Sequence, residues 1–112
     1  MAAESVPVSI AARHKLLYTH PASPQELCRW GDLHREKGLL HDALEFYAVA
    51  KAADALSTLA AQAVQEADLV LFLNACRALG REPDRAALTD LRSAAQRLGK
   101  EGTAKKVDLL LV

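Results

Sequence analysis

The chain has 112 residues, 51% of them hydrophobic and 25% charged, and its 14 basic and 14 acidic side chains cancel. That length excludes a multidomain enzyme, and the mixture excludes a disordered segment. Zero net charge removes any global pull toward nucleic acid or an anionic membrane surface. Alanine (22) and leucine (19) dominate, while valine, isoleucine and threonine together number 12. That bias favours helices over a sheet. The expectation is a single all-α domain over residues 1–112, with six or seven helices.

The elements follow in chain order. A first helix is expected from about Val8 to Tyr18, broken by His20-Pro21 because residues before proline avoid the helical region. Ser23-Pro24-Gln25-Glu26 then reads as a capping box with proline in the first helical position. It opens a helix over 24–37 that Gly38 ends. Leu27, Trp30, Leu33 and His34 share one face of it. A second helix over 41–54 carries Ala43, Leu44, Tyr47 and Ala50 at helical spacing. The short link predicts that the two fold back antiparallel.

No Gly or Pro stands between Leu39 and Leu79. Helices over 57–65 and 68–79 are expected there, with Asp54, Ser57 and Asp68 as candidate caps. Gly80 closes the second of them. Pro83-Asp84 opens another, with Leu88, Leu91, Ala95 and Leu98 on its inner face and Gly99 at its end. Thr103 is expected to cap a final helix reaching Leu111.

The string Leu27-x2-Trp30-Gly31-x2-His34-x3-Gly38-x4-Ala43-x3-Tyr47-x2-Ala50 resembles a tetratricopeptide repeat over about residues 24–57. The logic of that motif is steric. Small Gly31 and Ala43 let two antiparallel helices approach, Tyr47 fills the volume beside them, and Ala50 makes room for the next helix. Trp30 is larger than the family's aliphatic residue, His34 replaces Tyr or Leu, and Ala55 stands where proline often ends the repeat. A degenerate second copy is read at about 68–98, where Leu71, Ala75, Ala78, Ala87, Leu91 and Ala94 keep the small-residue pattern. The resemblance implies an α–α superhelix, with a compact bundle as the alternative.

What the resemblance implies for function is a non-catalytic adaptor that binds a peptide or protein partner. The exposed face of helix 24–37 would present Gln25, Cys28, Asp32, Arg35 and Glu36. One subclass clamps a terminal carboxylate with Lys, Asn and Lys spaced four apart. Here those positions are Cys28, Asp32 and Glu36, and like charge would repel that ligand. The apolar end, Val107 and Leu109 to Val112, is read as a packed helix or as the seam of a possible homodimer.

Other chemistry is weakly written. No phosphate-binding, dinucleotide-binding, zinc-protease or nucleophile-elbow motif occurs, so no enzyme activity and no cofactor are expected. His14, His20, His34 and His41, with Glu45 one turn after His41, are the candidate metal ligands, but His34 reads better as a packing residue and His41 as a helix-start residue. Asp32/Glu36 and Asp42/Glu45 read as solvated pairs. Residues 77–112 carry 8 basic and 5 acidic groups, with Arg77, Arg81 and Arg85 four apart. A nucleic-acid-binding helical protein using that third is therefore the alternative reading, although aromatic platforms are missing. Cys28 and Cys76 lack the spacing of a zinc knuckle or redox pair and are expected to be reduced, at least partly buried thiols. The first residues do not read as a leader, and no apolar run is long enough to span a membrane, so a cytoplasmic address is expected.

Overall fold

The computed structural model describes Leu17, Tyr18 and residues 23–112. The described residues form six α-helices and no strand. They are α1 (Pro24–Glu36), α2 (Leu40–Ala50), α3 (Ala53–Glu66), α4 (Leu69–Leu79), α5 (Arg85–Arg97) and α6 (Glu101–Leu111). Two compact units divide between Ala53 and Asp54. The helix predicted over Val8–Tyr18, and the break at His20-Pro21, lie outside the described residues except for Leu17 and Tyr18.

Local chemistry accounts for the helix ends. The Ser23 hydroxyl accepts from the Glu26 N–H at 3.2 Å, the Asp68 carboxylate from Leu71 at 3.1 Å and the Asp84 carboxylate from Ala86 at 3.4 Å. Each satisfies an amide that has no partner within its helix. At the other ends a left-handed residue turns the chain. Gly38, Gly80 and Gly99 do this with φ of 78°, 70° and 75°. Lys51 and Ala67 do it without glycine, at φ of 57° and 55°. The turns share one bonding pattern, in which the next N–H reaches back to a carbonyl five residues earlier. Leu39 donates to His34 at 2.9 Å, Asp68 to Ala63 at 2.9 Å and Lys100 to Ala95 at 2.7 Å. Ala52 to Tyr47 and Arg81 to Cys76, both at 3.0 Å, complete the set.

Those turns correct several sequence expectations. The second helix ends at Ala50 rather than at residue 54, because Lys51 already turns the chain. The third starts at Ala53, not 57, so Asp54 and Ser57 lie inside it rather than capping it. Leu98 is 50% exposed, not on the inner face, because α5 ends at Arg97 and Leu98 already belongs to the turn. Thr103 sits within the first turn of α6, which starts at Glu101 after Lys100.

In the first unit α1 packs closely against α2. Ala43 and Tyr47 are fully buried, and a Cβ placed on Gly31 would stand 2.6 Å from Tyr47 Cε1. The glycine is therefore the space that the tyrosine ring occupies. The Tyr47 hydroxyl donates to the Asp32 carboxylate. Leu17, Leu27 and Phe46 form the adjoining apolar cluster, with Trp30, Val49 and Ala50 against it.

In the second unit α5 packs closely against α6. Leu88, Leu91, Ala95, Ala104 and Val107 are buried, and an Arg92–Asp108 ion pair joins the two helices. The pairs α1/α2 and α5/α6 have equal lengths, 13 and 11 residues each. The pair α3/α4 has 14 and 11. Counted from the turns at Gly38, Ala67 and Gly99, the same positions face inward. Leu27, Leu56 and Leu88 correspond, as do His34, Ala63 and Ala95, and Phe46, Ala75 and Val107. All nine are buried.

Replacing Gly31 by Ala should lower stability by about 1–2 kcal/mol although alanine is the better helix former, because the buried ring cannot move aside. Adding Tyr47→Leu should remove that penalty, so a urea-unfolding double-mutant cycle reads the coupling. Lys51→Gly and Ala67→Gly should each raise the unfolding free energy by about 0.5–1 kcal/mol, since glycine relieves the left-handed backbone.

Candidate partner-binding groove

A feature suited to a partner lies within the second unit. A groove of about 510 Å³ runs between α3 and α5. Ala61, Val64 and Gln65 line it from α3; Ala87, Asp90, Ser93, Ala94 and Arg97 line it from α5. On each helix these residues fall at intervals of three and four, which places them on one stripe. Half of them are alanine or serine, and the rest are Val64, Gln65, Asp90 and Arg97. The C-terminal ends of the two helices lie near each other, where Lys100 Nζ, just beyond α5, donates to the carbonyl of Glu66, the last residue of α3, at 2.8 Å. An ammonium at a helix C-terminus also meets the negative end of the helix dipole.

The five residues singled out on helix 24–37 sit on α1, in the other unit. Gln25, Asp32, Arg35 and Glu36 are exposed and Cys28 is half-buried. Three of them occupy positions that correspond to groove-lining ones. Asp32, Ala61 and Ser93 each stand six residues before their turn residue, and Glu36, Gln65 and Arg97 stand two before it. Arg35 corresponds to Val64 in the same way. The groove residues themselves escape a sequence reading that starts from the 24–50 motif. The signal that could have found them is the recurrence of Leu-x2-(Trp/Leu) at 27, 56 and 88, each eleven residues before a turn.

Asp32 has a structural task besides its exposure, since it accepts the Tyr47 hydroxyl. Burial, then the hydrogen bond to Asp32 and its charge, push the Tyr47 phenol well above its ordinary range, with Arg35 opposing. His34 is buried, its Nδ1 is 2.7 Å from the Trp30 carbonyl, and its ring centroid lies 4.8 Å from that of Phe46. It occupies the packing position that the motif gives to an aromatic. His14 and His20 lie outside the described residues. Among the described residues no three His, Cys, Asp or Glu side chains gather as a metal ion requires. Glu45 accepts the Tyr18 hydroxyl at 2.9 Å.

Of the basic C-terminal third, Arg92 pairs with Asp108, Arg77 donates to Asn74 at 3.1 Å, and Lys100 is the Glu66 donor described above. Arg77 ends on α4, Arg81 lies in the loop and Arg85 starts α5, so the three share no helix. Arg77 and Arg81 border a hollow of about 420 Å³ with Cys76. Cys28 and Cys76 are both free thiols, half-buried and buried. Burial raises the pKa of Cys76 and Arg81 partly offsets it, which keeps the thiol protonated and weakly nucleophilic. Leu109 and Val112 are largely exposed, whereas Val107 is buried. No helix among the described residues is long and apolar enough to cross a membrane.

Comparison with protein-family models, with curated proteins and with solved structures finds no match for this chain.

The raised Tyr47 pKa makes stability fall in alkali. The unfolded chain loses the phenol proton near pH 10, before the folded one does. Stability from this group is therefore complete below about pH 10 and declines as pH rises further. Urea titrations between about pH 9 and 11 should show that decline, and Tyr47→Phe should make it shallower.

Proposed function

We propose that the chain is a non-catalytic protein-interaction module built from tandem helical hairpins of the tetratricopeptide kind. Its partner is a protein or peptide segment, and the groove between α3 and α5 receives it. The observation that carries this reading is the open trough between α3 and α5, half lined by alanine and serine, with Asp90 and Arg97 also in its lining. Such a trough admits a polypeptide but holds no group of side chains arranged for acid–base or nucleophilic work.

The regular turns support the hairpin reading. Between Gly38 and Ala67 there are 29 residues of offset, and between Ala67 and Gly99 there are 32. Helix lengths and buried positions follow the same count. In this register three hairpins occupy 24–50, 53–79 and 85–111, which differs from a second copy placed at 68–98. The face of α1 that carries Gln25, Cys28, Asp32, Arg35 and Glu36 is then a second candidate contact surface, with Asp32, Arg35 and Glu36 equivalent in position to groove-lining residues.

A photo-crosslinking amino acid placed at Ser93 in cells, with one at exposed Lys106 as control, tests the reading. A discrete protein adduct should form from Ser93 alone, and Ala61→Trp should abolish it by filling the trough. Adducts that are equal at both sites, or that survive Ala61→Trp, would remove the groove from the function.

A further inference from the structure

We draw no further inference here: the strongest candidate, the exposed apolar patch of Leu109, Leu110 and Val112 at the C-terminal end of α6, carries none because nothing in the structure shows what covers it.

Discussion

Two antiparallel helices can pack closely only where one yields volume that the other fills, and Gly31 against Tyr47 is where this chain meets that demand. The tyrosine ring lies where any side chain at position 31 would begin. The same ring passes its hydroxyl outward to Asp32, so a buried phenol needs no buried partner. Around this contact Leu27, His34, Ala43 and Phe46 close the hairpin core. Removing the glycine's emptiness forces either the ring or the helix axis to move, and close-packed interiors resist both.

The corresponding positions in the last hairpin solve the problem differently. Arg92 and Asp108 stand where Gly31 and Tyr47 stand in the first, and they form an ion pair. Both are partly exposed, so screening by solvent limits their contribution to well under that of a buried contact. The apolar layers next to them, Leu88 with Leu91 and Ala104 with Val107, carry the association of α5 and α6. The first hairpin is thus fixed by shape and the last by apolar layers beneath a surface pair. This difference explains why a motif search based on small and aromatic residues finds the one and passes over the other.

Much of the fold was legible because its punctuation is chemical. Ser23-Pro24 with Glu26, Asp68 and Asp84 mark helix starts through side chains that accept amide protons. Gly38, Gly80 and Gly99 mark ends because only glycine enters the left-handed region freely. Lys51 and Ala67 were not legible. Their side chains disfavour that region by roughly 1 kcal/mol, and propensity alone would continue the helix. The turn forms there because it satisfies carbonyls at Tyr47 and Ala63 and releases the next helix to bury Leu56 or Leu71. That gain is tertiary and leaves no local trace. The groove shares the difficulty. Its walls mix alanine and serine with Val64, Gln65, Asp90 and Arg97, a sequence that reads as ordinary helix, and only the placement of α3 beside α5 brings them together.

The groove's width therefore depends on the turns as much as on its lining. Ala67 and Gly99 end α3 and α5 in the same geometry, and Lys100 ties the second end to the first through the Glu66 carbonyl. A shift of one helix by a single residue would rotate its stripe by about 100° and carry Val64 or Ala94 out of the trough.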